Sequence, residues 1–454
     1  MPQTHHLLGL PLEITADILS LLSFSDVVSV STVCSELRRL ALAERKLWQT
    51  PPRVTVARLR KLMPFVGRPG KLGLDLSVRA IRQHEVAELS VTLGALMPCL
   101  RELSLEFLTG RFSNYKLDLE ALWHAFQSPA PLLRRLALTE PGDLLHEPLS
   151  WLPSNIFLGS PPPNLTYVEI TAFEITEICS AFAHVTRVRA SVAALTPDHS
   201  TTRVHDHFPA VDTLDILGAE FGAMFQDPYV LPRVPRIDRA LDVLNVDWTL
   251  ERLGARKDAG SEAWLSAAAP FVRSLEICYP ECPGATDAVL ASLSGAGSLS
   301  VDISYSQWDG DYIEIIAAGT GITRTVTVAA GDLTPHFVKL LDLPGVAVED
   351  VCLPATVDNL QNLSVFWCCP AKARLGLILD GDFVETDSKE FRVMNGVTMV
   401  GLHGPAGTTV DLGKVCDFMR KATPNVAAIR VCDGFQVLNA QDLPPKVTLE
   451  RVAY

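Results

Sequence analysis

Among the ten cysteines of the 454-residue sequence there is no Cys-x-x-Cys pair; Cys278 and Cys282 are spaced Cys-x-x-x-Cys, and Cys368 and Cys369 are adjacent. Such thiols read most simply as reduced core residues of an intracellular protein. No uncharged apolar run reaches the length of a bilayer span, so no membrane partner is expected. The opening Met1 to Leu10 places no basic stretch before its short apolar run, which is not the layout of a secretion signal. A cytoplasmic or nuclear location, or both, is the expectation. Basic residues are in deficit: Lys and Arg number 39 against 52 Asp and Glu, a net charge of −13. That argues against a broad phosphate-binding surface, and no nucleic-acid partner is expected.

Catalytic signatures are also scarce. No Gly-x-Ser-x-Gly occurs. Gly295-Ala296-Gly297 and Gly319-Thr320-Gly321 are lone Gly-x-Gly turns without the Gly-Lys-Ser/Thr or third glycine that phosphate cradling needs. His199, His205 and His207 with Asp198 and Asp206 could in principle hold a metal, but no spacing forces them onto one face, and a polar loop after Pro197 is the simpler reading. Asp380, Asp382, Glu385 and Asp387 lack the ligand spacing of an EF-hand and read as a solvated turn. A Cys–His dyad could form in space, which sequence cannot show. Tyr305, Trp308, Phe366 and Trp367 could line a binding surface or belong to the core. No cofactor or metal is expected, and the chain is not read as an enzyme.

The residues that are present make a folding chain: 48% are hydrophobic and 20% charged. At this length more than one domain, or one extended repeat array, is expected. The sharpest pattern is Leu10 to Trp48. Pro11 suits a first helical turn. Ile14, Ile18, Leu21 and Leu22 then share a helical face. Ser23 with Asp26 fits a capping box for a second helix. Val27, Val30, Val33, Cys34, Leu37 and Leu40 continue the spacing, and Trp48 can close a small bundle. A unit this short buries little surface, so it should dock on something larger.

The order of these residues resembles the F-box motif. Leu10-Pro11-Leu12-Glu13-Ile14 matches its Leu-Pro-x-Glu-hydrophobic opening, Ile18 to Leu22 its Ile-Leu-x-x-Leu, Asp26-Val27-Val28 its Asp-Leu-hydrophobic step, and Leu47-Trp48 its terminal Leu-Trp. Val33 to Arg38 matches Val-Cys-x-x-Trp-Arg with Leu37 in place of tryptophan, which keeps an apolar position but loses area. The resemblance implies a three-helix domain over residues 1–50 that binds a Skp-type adaptor of a cullin ubiquitin ligase. It implies Leu10, Pro11, Ile14, Ile18, Leu19, Leu22, Val33, Cys34, Leu37 and Trp48 as the adaptor-binding module, some of them forming its internal core.

Residues 49–70 are broken by Pro51, Pro52, Pro64, Gly67, Pro69 and Gly70, with Val54 and Val56 as a possible short strand, so a boundary is placed near Thr50. Beyond it a phrase recurs: a turn residue, often Pro, then a short alternation of the form Leu-x-x-Leu-x-Leu. It centres near Ser104, Ala137, Glu169, Asp215, Glu276, Asp302, Thr327, Cys352, Ile378, Met399, Arg430 and Arg451. From Glu276 to Ile378 the step is about 25 residues, the mark of a repeat array. Leu119, Leu122, Trp123 and Phe126 form a helical face between phrases, as do Phe173, Ile175, Ile178, Cys179 and Phe182, and the run from Asp287 to Leu293. The stretch 183–262 is hard to phase. The unit resembles an irregular leucine-rich repeat, of the kind found behind an F-box in fungal proteins, although it lacks the consistent Asn or Cys after each strand. A doubly wound α/β domain also alternates strands and helices.

The expected fold class is therefore α/β: a three-helix F-box, then over 51–454 a leucine-rich-repeat-like solenoid whose strands are parallel and follow sequence order. The resemblance implies a substrate-recognition subunit of a Skp-cullin-F-box ligase. The alternatives are a repeat scaffold acting outside a ligase, or an α/β enzyme with an unrecognised site. Residues between the apolar strand positions should point to the open concave face of the parallel sheet. Of the nine such positions from Ser104 to Ile378, four are acidic: Glu169, Asp215, Glu276 and Asp302. A basic segment of a protein substrate is expected there, with Asp215, Glu276 and Asp302 as substrate-binding residues.

Overall fold

A computed structural model describes residues 10–22, 24–43, 47, 53–66, 73–108, 119–140, 150–195, 203–217, 235–247, 259–278, 283–305, 312–329, 336, 339–354, 373–379, 397–404 and 407–452. Its contacts divide into two compact units, Met1–Ala219 with Arg233–Arg239, and Glu220–Pro232 with Ala240–Tyr454.

The first unit opens with three short helices, α1 (Leu12–Ser20), α2 (Phe24–Val33) and α3 (Ser35–Ala43). Pro11 stands at the N-cap of α1, and its carbonyl accepts the first helical N–H, from Thr15, at 3.1 Å. Arg38 Nε donates to the Ser31 carbonyl at 3.0 Å and ties α3 to α2. Helix α4 (Val56–Val66) follows. Val54 and Val56 do not make the short strand expected of them: Val54 forms one bridge to Val78, and Val56 already starts α4.

Strands and helices then alternate: β1 (Leu74–Ile81), α5 (Val86–Leu96), β2 (Leu100–Phe107), α6 (Glu120–Phe126), β3 (Arg135–Thr139), β4 (Ser150–Trp151), β5 (Tyr167–Ile170), β6 (Phe173–Glu174), β7 (Arg187–Ser191), α7 (Val192–Leu195), α8 (Val204–His207) and β8 (Thr213–Leu217). β1, β2, β3, β5, β7 and β8 lie side by side in that order, all parallel. Leu103 and Leu105, Leu136 and Leu138, Val168 and Ile170, and Leu214 and Ile216 are buried, as the alternation requires. The core is also aromatic: Phe173 meets Phe107 and Trp123 edge-on, with centroids 5.2 and 5.3 Å away. The helical face expected through 173–182 is absent. Phe173 and Glu174 instead pair as a strand with Ser150 and Trp151, and only Ser180–Phe182 coils, as one 3-10 turn. The β-branched Ile175, Thr176 and Ile178 favour the extended form.

The second unit contains β9 (Leu241–Asp247), α9 (Ala259–Ala268), β10 (Val272–Cys278), α10 (Pro283–Ala291), β11 (Gly297–Tyr305), β12 (Tyr312–Gly319), β13 (Ile322–Ala329), β14 (Val346–Pro354), β15 (Ala373–Ile378), β16 (Val397–His403), β17 (Thr409–Asp411), α11 (Leu412–Ala422), β18 (Ala428–Cys432), β19 (Gln436–Leu438) and β20 (Thr448–Val452). The strand order is β9-β10-β13-β12-β11-β14-β15-β16-β18-β20, with β17 and β19 in a separate pair.

Here the expectation of sequential parallel strands fails. β12 is antiparallel to both β11 and β13, and the three run in reverse order between β10 and β14. The cause is local. Gly319 pairs with Ile322 across a two-residue link, Thr320-Gly321, with Gly321 at φ +74°. Two residues can join antiparallel strands, whereas a parallel crossover takes about a dozen. The 25-residue step between the phrases at Asp302 and Thr327 is thus not one repeat. It contains β12, and the next step, to Cys352, leads back past β12 and β11 rather than to a neighbour of β13.

One buried side chain holds β13 in its place beside β10. Arg324 is 1% exposed. Its guanidinium donates to Ser292 Oγ (2.7 Å), just past α10, and to the carbonyls of Thr323 (2.8 Å), Arg273 (3.0 Å) and Ala269 (3.1 Å), the last just past α9. A cation at the carbonyl end of a helix is favoured by its dipole. Helices α9 and α10 therefore lie on the Arg324 side of the sheet, and among the described residues the opposite side, which carries Glu276 and Asp302, is the open face.

Candidate adaptor-docking helices and open sheet face

The three N-terminal helices have a very small interior. Leu19, Val27, Leu37, Leu40 and Ala41 are buried, with Thr15 and Ser31, whose hydroxyls bond to the Pro11 and Val28 carbonyls. Two members of the expected module, Leu19 and Leu37, thus belong to the internal core. Five others point outward: Leu10 is 41% exposed, Ile14 47%, Leu22 37% and Val33 73%, and Pro11 is exposed as well. Ile18 and Cys34 are half-buried. Trp48 lies outside the described residues. Leu21 adds an apolar surface residue that the sequence reading had put on the helical face but not in the module. These exposed large aliphatics make the segment the candidate interaction surface of the first unit.

On the first unit's sheet, register places Ser77, Ser104, Ala137, Glu169, Arg189 and Asp215 in one row across adjacent strands. The row expected from sequence is therefore real, but β7, unread within 183–262, inserts an arginine between the two acids. Glu169 is flanked by Arg135 (3.4 Å) and Arg189 (3.8 Å) and accepts from the Tyr167 hydroxyl (3.2 Å). Arg187 Nη2 donates to Asp215 at 3.0 Å, and that bond raises the Arg187 pKa. Asp215 is buried. Arg135 stacks 4.4 Å from the centroid of the Tyr167 ring. The outward row of the first unit is a compensated ionic lattice.

The second unit differs. Its row runs Asn245, Glu276, Thr325, Ile316, Asp302, Cys352, Gly376, Gly401, Arg430, Glu450. Thr327, expected between Asp302 and Cys352, lies on β13 two residues past Thr325 and opposite Glu314. Glu276 accepts from the Cys278 thiol (3.5 Å) and Glu314 from the Ser304 hydroxyl (3.4 Å), while Asp302 is hydrogen-bonded to the Cys352 thiol. Among the described residues none of these three carboxylates has an ion-pair partner within 4.0 Å. Their field is felt by the thiols. Burial, then Glu276, Asp247 and Glu314, push Cys278 up to about 12, and burial, then Asp302, does the same for Cys352.

Cys352 and His403 meet over Gly376: a Cβ there would collide with the thiol sulfur and lie 3.1 Å from His403 Nε2. Such a pair is the constellation of a nucleophilic site, but nucleophilic cysteines need a lowered pKa, and this thiol stays protonated. His205 and His207 are not on a polar loop; they lie on α8 and are 4% and 2% exposed. Val204 and Phe208, apolar at both ends of the turn, draw it inward. His199, the 380–387 carboxylates, Trp308, Phe366 and Trp367 fall outside the described residues.

Sequence reasoning missed Arg135, Arg187 and Arg189 as partners of the acidic row, and it missed the glycines. A signal existed for the latter, since Leu375-Gly376-Leu377 and Val400-Gly401-Leu402 each carry glycine at the outward position between two buried residues. Among the described residues no helix is long and apolar enough to cross a membrane. No curated protein matches the chain. Residues 7–51 match the F-box-like family.

Proposed function

We propose that this chain is the substrate-recognition subunit of a Skp-cullin-F-box ubiquitin ligase, working in the cytoplasm, the nucleus or both. In this reading residues 1–50 form a separable F-box that docks the Skp-type adaptor, and 51–454 form an irregular leucine-rich-repeat-like domain that holds a protein substrate. Ubiquitin transfer belongs to other subunits. The observation that carries the reading is the solvent-facing set Leu10, Ile14, Leu22 and Val33 within the family-matched segment. Burying four aliphatic side chains against a partner supplies roughly 25 cal/mol per Å² of apolar surface removed from water.

The substrate surface proposed is the open sheet face of the second unit, where Glu276 and Asp302 carry no ion-pair partner among the described residues. On the first unit's sheet Asp215, bonded to Arg187, would act through that pair. A basic segment fits this charge. The test is co-purification of the full chain and of a chain lacking residues 1–50 with a recombinant Skp-type adaptor. Only the full chain should retain it, with the sheet domain of the shortened chain still folded. Equal retention by both would refute the docking assignment. A scaffold outside any ligase would keep the open face and its ligand while binding no adaptor.

A further inference from the structure

The open face of the second unit contains a notch of about 250 Å³. Its floor is Gly376 and Gly401, register partners on β15 and β16, and the room their missing side chains leave is taken by Cys352 Sγ and His403 Nε2. Cys352 and Arg430 stand on either side in the same row. Arg374 and Met399 close one end, and His403 the other. The volume is below that of a drug-sized ligand site and suits a single side chain.

Its chemistry selects among side chains. Both guanidiniums are already compensated, Arg374 by Asp350 at 3.6 Å and Arg430 by Glu450 at 2.7 Å. An incoming anion would meet Asp350 and Asp302. An incoming cation would meet the two arginines. Burial lowers the pKa of His403, against the pull of Asp302 and Asp350, so the imidazole adds no charge near neutral pH. A flat neutral ring is favoured by every wall. It can lie on the His403 imidazole that spans the two glycines, take guanidinium contact on its face, and take the Met399 sulfur at its edge.

We propose that the Gly376–Gly401 notch is an anchor subsite for one aromatic side chain of a bound protein segment, whose basic flanks lie along Asp302, Glu314 and Glu276. The proposal rests on the open face being the substrate surface. It also sets a spacing. Asp302 is three strands from Gly401, through Cys352 and Gly376. At about 4.8 Å per strand this is roughly 14 Å, or about four extended residues. The recognised pattern is an aromatic residue with a lysine or arginine about four positions away. Aromatic anchors in desolvated pockets dominate interface energetics.

The test uses the full chain and two dye-labelled nine-residue peptides of glycine and serine. Each has lysine at both ends, and the centre is phenylalanine in one and alanine in the other. The phenylalanine peptide should bind at least tenfold tighter. It alone should shift the Met399 methyl resonance, assigned through Met399→Leu. Gly401→Ala places a Cβ 2.9 Å from His403 Nε2 and should erase the preference. If that variant misfolds, the Met399 resonance of the unmodified chain decides the matter. Glu276→Lys with Asp302→Lys should weaken both peptides equally. Equal affinities that still respond to that charge reversal would overturn the notch and spare the acidic surface. Binding of neither peptide, or no response of either to the reversal, would overturn both. Tight phenylalanine binding with a stationary Met399 signal would also overturn the notch.

Discussion

Replacing Arg324 by alanine should produce one of the largest stability losses available in the second unit. Burial opposes the charged guanidinium and drags its pKa from 12.5 to about 10, a penalty of about 3 kcal/mol. Against that stand four hydrogen bonds to Ser292, Thr323, Arg273 and Ala269. Bonds from a charged donor contribute about 1.5–3 kcal/mol each. Removing the side chain recovers the penalty, loses all four bonds and strands three carbonyls, a net loss of at least about 3 kcal/mol, and we expect about 4 kcal/mol. Such values are reached by few single substitutions. Arg324→Lys keeps a charge without the planar fork and should lose about half as much. Because the contacts bracket β10 and β13, amide hydrogen exchange in peptides covering 269–278 and 322–329 is the assay. A loss of about 4 kcal/mol speeds exchange there by about a thousandfold. An acceleration under tenfold in Arg324→Ala would refute the claim that this side chain pins the reversed hairpin.

Leu19→Ala should destabilise the N-terminal helices by about 2–4 kcal/mol, because Leu19 is 1% exposed in an interior with few alternatives; urea unfolding followed on that segment checks it. His207 gives a pH dependence. Burial lowers its pKa in the folded chain, with the Glu177 backbone and Asp206 pulling the other way. The unfolded chain then binds the extra proton first, so stability from this group is complete above about pH 6.5 and is lost as pH falls toward the folded value. His207→Leu should flatten the fall in melting temperature between pH 7 and 5; an unchanged slope would exclude His207 as its source.

Much of the architecture was legible because it depends on period-2 alternation. Leu103-Ser104-Leu105 and Leu375-Gly376-Leu377 announce their faces directly, since buried and open positions differ in residue type. β7 escaped because its outward residues are Arg187 and Arg189, which make the segment look like a charged loop; they are there to meet Glu169 and Asp215. β12 escaped because the phrases on either side kept a regular step, and the two-residue turn at Thr320-Gly321 was read only as a lone glycine pair. Neither absence reflects weak strand propensity. Charge pairing across strands and strand direction are long-range properties, set by neighbours that a single sequence does not reveal. The same limit applied to the N-terminal helices, where spacing grouped Leu19 and Ile14 on one segment but only burial separates the core residue from the surface one.

The proposed docking of a Skp-type adaptor depends on the exposed aliphatics of the N-terminal helices. Titration calorimetry of the full chain against recombinant adaptor tests it most directly, comparing the unaltered chain with Ile14→Asp combined with Val33→Asp. Both positions are solvent-facing, at 47% and 73% exposure, so the folded chain should keep its melting temperature. Docking through these residues gives the double variant a Kd at least a hundredfold weaker, about 2.7 kcal/mol. A Kd within threefold of the unaltered chain, with the adaptor still bound, would contradict it.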